Sequence, residues 1–146
     1  MTIKDVYYSL IQEYGTTNPF NIARQLGIIV LFNDLGTNNG LYHSLEICKK
    51  TYHYIHINNN LSDDDKRYTM AHELGHFILH KNSNLHFLRR ISRVPLSRQE
   101  IEADLFASYF IISNEEIKEI NNISHISKSF KLDYRICEER IKYLDS

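Results

Sequence analysis

The segment TMAHELGHFILH, residues 69–80, contains His72, Glu73 and His76 in the order H-E-x-x-H. Residues four apart lie on the same face of an α-helix, so the two imidazoles could bind one metal ion. In zinc hydrolases with this motif, the glutamate takes a proton from a water that the ion has made more acidic. The alternative is an ordinary helix that carries two surface histidines. The segment therefore raises the hypothesis of a metal-dependent hydrolase, which the rest of the chain must support.

A catalytic zinc site usually has a third protein ligand and an open position for water. The segment SRQEIEADLFASYF supplies two candidates, Glu100 and Glu102, which lie on different faces of a predicted helix. Glu100 shares its face with Asp104, which could accept the N–H of a ligating histidine, whereas Glu102 faces apolar residues. However, Glu100 also forms a capping box, S-x-x-E, with Ser97, and a capping box needs no metal. The residues alone leave both roles of Glu100 open.

Other histidines and tyrosines are weaker candidates. His80 follows His76 by one helical turn, but a fourth protein ligand would close the water position, so we expect a structural role or a contact with a ligand. A side chain of a predicted strand could stabilise an oxyanion, although simply filling a strand position is the commoner role of such residues. These strand residues are Tyr42, His43, Tyr52, His53, Tyr54 and His56.

The N-terminal part of the chain predicts two helices and three strands. An amphipathic helix from Ile3 to Tyr14, ended by Gly15, is expected to cover a sheet. A short helix follows Asn18. The apolar run IIVLF predicts one strand, and LYHSLEI and TYHYIHI predict two more, joined by a tight connection near Lys49 and Lys50.

The central part predicts two long helices. Ser62 and three aspartates after it predict a helix start, and this helix should reach about His80. Gly75 inside it costs about 1 kcal/mol of helix propensity, which suggests that another backbone packs closely there. A second helix should run from Arg98 to Ile112. The order of elements predicts a single α+β domain: residues 1–60 hold helices and a small sheet, 61–112 the metal-site helices, and 113–146 a helical tail.

Composition narrows the location and the partners. The 146-residue chain has 17 basic and 18 acidic residues, so it lacks the basic bias of nonspecific nucleic-acid or membrane binding. Cys48 and Cys137 are far apart, which argues against a disulfide scaffold, and no apolar run is long enough for a membrane span. We therefore expect a cytoplasmic protein with no direct contact to nucleic acid or membrane.

Two further features, a basic patch and the C-terminal tail, could in principle bind a partner, but each has a more ordinary interpretation. A basic patch with Arg89, Arg90 and Arg93 could guide an acidic substrate, but a solvated loop is more frequent. The tail resembles a helix-turn-helix pair superficially. Because Glu138 and Glu139 lie in its second helix, packing or substrate docking is the better interpretation than DNA reading.

The segments AHELGHFILH and EIEADLFA, residues 71–80 and 100–107, resemble the ImmA/IrrE family of zinc metallopeptidases, whose second motif usually reads E-x-x-A-[N/D/S]-x-F-A. The likeness extends upstream to NPFNIARQLGIIVLFNDLG and YIHINNNL and covers residues 18–112. One departure is SYFIISNEE, which lacks the Leu-x-Pro that often follows F-A in the family. We interpret this difference as a variation of the helix end that leaves the ligands unchanged.

The resemblance implies zinc bound by His72, His76 and Glu100, with Glu73 as the general base, in a zincin-like fold. It also implies a cytoplasmic endopeptidase whose substrate is a protein, typically a helix-turn-helix repressor of a phage or mobile element. One rival hypothesis is a metal-binding anti-repressor that sequesters its partner without cleavage. Another is a DNA-binding regulator with an incidental motif.

Overall fold

The computed structural model describes residues 2–80 and 96–145, which form an α+β arrangement of seven helices and one three-stranded sheet. The predicted α+β class and the small three-stranded sheet are thus confirmed. The elements are α1 (Ile3–Tyr14), α2 (Pro19–Gln25), β1 (Ile29–Asn33), β2 (Gly40–Ile47), β3 (Lys50–Asn58), α3 (Asp63–His80), α4 (Leu96–Ile111), α5 (Asn114–Ile120), α6 (Ile123–Phe130) and α7 (Tyr134–Lys142).

The sheet is mixed, with β3 between the two other strands. β1 is parallel to β3, and β2 is antiparallel to it. The connection from β2 to β3 is a two-residue turn at Cys48 and Lys49, whose φ angles of 51° and 67° match the left-handed conformation of tight hairpin turns. Ile55 and Ile57 of β3 are fully buried, so the odd-numbered face of this strand is the core face.

α1 ends at Gly15 as predicted, with φ of 66°. The expectation that α1 covers the sheet is wrong, because its main contact is with α4. The ring of Tyr7 stacks on Tyr109 and meets Phe110 edge-on, at centroid distances of 5.3 and 4.9 Å. Aromatic side chains are large enough to direct α1 onto a helix instead of the sheet.

α3 lies between the sheet and α4 and contacts β2, β3, α2 and α4. Its start agrees with the prediction, because Asp65 N donates a hydrogen bond of 3.2 Å to Ser62 Oγ. Gly75 is the point of closest approach to α4: a Cβ there would lie 3.3 Å from Ala103 Cα and 2.9 Å from a ring carbon of Phe106. The predicted backbone contact at Gly75 is therefore confirmed.

The C-terminal helices α5 to α7 form a second hydrophobic cluster next to the end of α4. Arg140 of α7 is 1% exposed and connects the two parts. It donates hydrogen bonds to Ser108 Oγ, to the carbonyl of Ile112 and to Asn114 Oδ1 at 3.0, 2.7 and 3.0 Å. Its guanidinium also lies 3.8 Å from the centre of the Tyr109 ring. The C-terminal tail thus packs onto α4, and packing was one of the two roles expected for it.

Within 2–80 and 96–145, no helix combines the length and the apolar composition that crossing a bilayer requires.

Candidate metal centre

Three side chains from α3 and α4 converge on one point. Nε2 of His72 lies 3.2 Å from Nε2 of His76. The Glu100 carboxylate lies against both rings, with Oε2 at 3.2 Å from His72 Nε2 and Oε1 at 2.8 Å from His76 Nε2. Helical periodicity places the two histidines one turn apart on α3, and the close approach at Gly75 brings α4 within reach.

This arrangement fits a divalent metal ion. Ligand atoms about 2.0–2.1 Å from a tetrahedral zinc ion lie about 3.3 Å from one another, close to the three distances between these side chains. One possible ligand atom can be taken from each of His72, His76 and Glu100 so that all three atoms lie within 4.8 Å of one another. Two imidazoles and one carboxylate are also a donor set of catalytic zinc sites, with room for a water as fourth ligand. The three residues could therefore hold such an ion.

Asp104 lies behind His72, on the side away from Glu100. Its Oδ1 is 2.8 Å from His72 Nδ1 and accepts a hydrogen bond of 2.6 Å from the Tyr68 hydroxyl. Burial lowers the pKa of His72, but the hydrogen bonds to Asp104 and Glu100 outweigh it and raise this pKa to about 10. A metal ion at Nε2 would therefore compete with a proton.

The Glu100 carboxylate contacts the histidines with both oxygens. These hydrogen bonds to His72 and His76 hold the pKa of Glu100 well below its usual range, so the group is ionised at neutral pH. The alternative capping box is not supported, because Ser97 lies inside α4 instead of before it. Glu102 points elsewhere and lies 3.6 Å from Nε2 of His80.

Glu73 lines a polar pocket of about 340 Å³ together with His72 and Asp104. The facing wall is residues 37–40, at the start of β2. Gly40 fits this position, since a Cβ there would lie 2.6 Å from Thr69 Cγ2 and 3.3 Å from Glu73 Cγ and would force these side chains to shift. The glycine lets the wall approach α3 beside the glutamate.

The buried side chain of Asn58 holds this wall in place. Its Nδ2 donates to the carbonyls of Gly36 and Asn38 at 3.0 and 2.9 Å, and its Oδ1 accepts from Asn60 N at 3.1 Å. No periodic pattern points to this residue, because it follows the last apolar position of β3. Tyr68 was missed too, although it precedes His72 by four residues and so shares its helical face.

The strand residues considered for an oxyanion role are placed elsewhere. Among the described residues that line the pocket with Glu73, none of the six histidines and tyrosines of β2 and β3 occurs. For example, the Tyr42 hydroxyl lies 2.6 Å from Nδ1 of His53, and both rings pack against Phe77. The basic patch with Arg89, Arg90 and Arg93 lies outside the described residues.

Comparisons with known proteins identify the family of the chain. Residues 23–142 match the model of the M78 peptidase family, described as the IrrE N-terminal-like domain. The chain is 36% identical to the metallopeptidase ImmA of Bacillus subtilis over 148 aligned positions, which cover 93% of the chain and 85% of that protein. It is 28% identical to the uncharacterized immunity region protein 2 of Bacillus phage phi105, over 82% of the chain and 74% of that protein.

A solved structure shares the fold. A transcriptional regulator of Mycobacterium tuberculosis superposes with a TM-score of 0.54 at 13% identity over 92% of the chain, which spans 44% of that regulator. At this identity the likeness concerns the fold alone. The extent of the family match and the 36% identity to a metallopeptidase show that this chain belongs to the ImmA/IrrE-type metallopeptidases of the M78 family.

Proposed function

We propose that this chain is a zinc-dependent endopeptidase that cleaves a specific protein, a helix-turn-helix repressor of a phage or mobile element. The observation that carries the proposal is the convergence of His72, His76 and Glu100, with distances that suit a tetrahedral ion, beside a pocket lined by Glu73. The relatives named for metallopeptidase activity and for a phage immunity region support the reaction and the setting. A repressor substrate would place the reaction in the cytoplasm.

In this proposal the three residues hold the ion and the remaining side chains position it and move protons. A bound zinc ion supplies Lewis acidity to a water and to the scissile carbonyl. Glu73 accepts a proton from the attacking water on its carboxylate and passes it to the amide nitrogen that leaves as an amine. Asp104 accepts a hydrogen bond from the Nδ1–H of His72 and thereby directs the Nε2 lone pair of His72 at the site.

The substrate would enter along the pocket between α3 and the wall at residues 37–40. This wall is lined by hydroxyl and amide side chains and by the backbone of Gly40, which can hydrogen-bond a peptide without adding charge. The zincin-like relationship is part of the same proposal: the motif helix α3 packs against β2 and β3 on one side and against α4, with the third ligand, on the other.

Glu73→Gln separates cleavage from sequestration. The zinc-loaded wild type and the variant are incubated with purified helix-turn-helix repressors of phages and integrative elements, and the products are weighed by mass spectrometry. We expect the wild type to cut one repressor at a defined bond and the variant to bind zinc normally but cut about 10²–10⁴-fold more slowly. A variant that cleaves as fast as the wild type contradicts the general-base role. Repressor binding without any cleavage by the wild type favours the sequestering module.

A further inference from the structure

His80 contacts the metal site from behind. It lies one turn beyond His76 on α3, is 6% exposed, and places its Nδ1 3.2 Å from Nδ1 of His76. Its other nitrogen, Nε2, lies 3.6 Å from Oε2 of Glu102 on α4. Glu102 is 29% exposed at its side chain and also lies near Arg98, with 3.5 Å between Oε1 and Nε. A row of three groups thus runs from α4 through His80 to His76.

The positions of the protons in this row follow from the proposed metal site. Nε2 of His76 faces Glu100 and His72, so it is the nitrogen that would bind the ion. A neutral imidazole carries one proton, so His76 must carry it on Nδ1. That N–H is directed at Nδ1 of His80, which must therefore accept the hydrogen bond and carry its own proton on Nε2.

Glu102 favours this arrangement through its charge. At 3.6 Å the contact with His80 Nε2 is longer than an ordinary hydrogen bond, but a carboxylate at this distance attracts the proton on Nε2. The charge works in a region of low dielectric constant, since His80 is buried. The two imidazoles and the carboxylate consequently have one mutually consistent set of proton positions.

We propose that His80 is a positioning residue for the metal site: its Nδ1 accepts a hydrogen bond from the Nδ1–H of His76, and Glu102 in turn orients its ring. The inference rests on the proposed function, because it concerns the metal site proposed above. His72 and His76 are then supported differently: His72 donates to the carboxylate of Asp104, whereas His76 donates to an imidazole that a carboxylate orients. The proposal also gives Glu102 a role that needs no direct contact with the ion.

Two substitutions of His80 distinguish this hydrogen bond from simple packing. Phenylalanine fills the space but cannot accept a hydrogen bond, whereas the side-chain oxygen of glutamine can. We expect His80→Phe to weaken zinc binding by 10–100-fold, the range found when the outer partner of a metal-ligating histidine is removed, and His80→Gln to restore most of it. Competition of the full chain with a chromophoric zinc chelator measures both affinities. Ile126→Val, in the distant C-terminal cluster, controls for a general loss of stability.

Glu102→Gln tests the second contact of the row. We expect it to weaken zinc binding by less than His80→Phe does, because Glu102 acts only through the orientation of His80. A loss larger than that of His80→Phe contradicts the proposed order, since it would make Glu102 the more direct contributor to the site.

Nitrogen-15 NMR of the zinc-loaded wild type reads the proton positions directly, because protonated and bare imidazole nitrogens have different shifts. The expected spectrum shows His76 protonated on Nδ1 and His80 protonated on Nε2. A proton on Nδ1 of His80, or equal zinc affinity of His80→Phe and wild type, overturns the inference while the proposed function stands. Equal losses in the phenylalanine and glutamine variants overturn it as well. A wild type that holds no zinc overturns both.

Discussion

Gly75→Ala tests how the two halves of the candidate site are held together. Gly75 faces α4, where an added Cβ would lie 2.9 Å from Cδ1 of Phe106 and 3.3 Å from Cα of Ala103. Carbon atoms pack best at about 3.5–4.0 Å, so the contact to the backbone must lengthen by roughly 0.4 Å. Phe106 is fully buried and cannot turn into solvent, so we expect α4 itself to move away from α3.

The two energetic effects of this substitution have opposite signs. Overpacking a core costs about 1–3 kcal/mol, whereas replacing glycine by alanine in a helix gains about 1 kcal/mol. The expected net loss of unfolding free energy is therefore up to about 2 kcal/mol. The metal site should be affected more clearly, because Glu100 lies on α4 and moves with it, while His72 and His76 stay on α3. Metal ligation tolerates errors of only about 0.2 Å, so we expect zinc affinity to fall at least tenfold.

Urea unfolding of the metal-free protein gives the stability, and chelator competition gives the zinc affinity. Ile22→Val is the matched control, since Ile22 is fully buried on α2 and its shortening should cost a similar 0.5–1.5 kcal/mol without moving α4. We expect this control to keep wild-type zinc affinity. An alanine variant that is more stable than the wild type and binds zinc equally well would refute the reasoning, because it would mean that the helices do not need the glycine.

Three further substitutions have defined expected outcomes. Asn58→Ala should lower the unfolding free energy by about 2 kcal/mol in urea titrations and raise KM, because two backbone carbonyls at the pocket wall lose their donor. An unchanged KM would show that the wall does not contact substrate. Arg140→Met should lower stability by about 3 kcal/mol, since three hydrogen bonds are lost, with zinc affinity retained; a smaller loss than that of Ile126→Val would contradict its role between α4 and α7. Tyr68→Phe should weaken zinc binding about fivefold in chelator competition, because one hydrogen bond of about 1 kcal/mol no longer orients Asp104; an unchanged affinity would argue against this positioning.

Local patterns predicted the elements well because each depends on nearby residues. Ser62 and the aspartates after it predicted the start of α3, and Gly15 predicted the end of α1. The hairpin was predicted from two alternating runs, with its turn found one residue earlier, at Cys48 and Lys49. These features arise from capping, periodicity and turn geometry, which act over a few residues.

It was harder to predict which elements pack against each face of a helix or strand. In β3 the odd-numbered and the even-numbered positions both carry large side chains. Only the position of α3 makes the face with Ile55 and Ile57 the buried one. The strand order, with β3 in the centre, likewise depends on contacts that are remote in sequence. For the same reason α1 was expected on the sheet but packs on α4, where Tyr109 and Phe110 offer an aromatic surface.

The candidate site depends on one feature that is local in sequence and on one contact between residues remote in sequence. His72 and His76 are placed by a single helix, so their spacing alone indicates a metal-binding pair. The choice between Glu100 and Glu102 depends instead on how α4 is rotated against α3, which the small residues Gly75 and Ala103 determine at their point of contact. Both carboxylates end beside a histidine of α3: Glu100 lies against Nε2 of His72 and His76, and Glu102 lies one turn further along, against His80. The same packing that brings Glu100 to the two histidines therefore also brings the second carboxylate to His80, the imidazole beside His76.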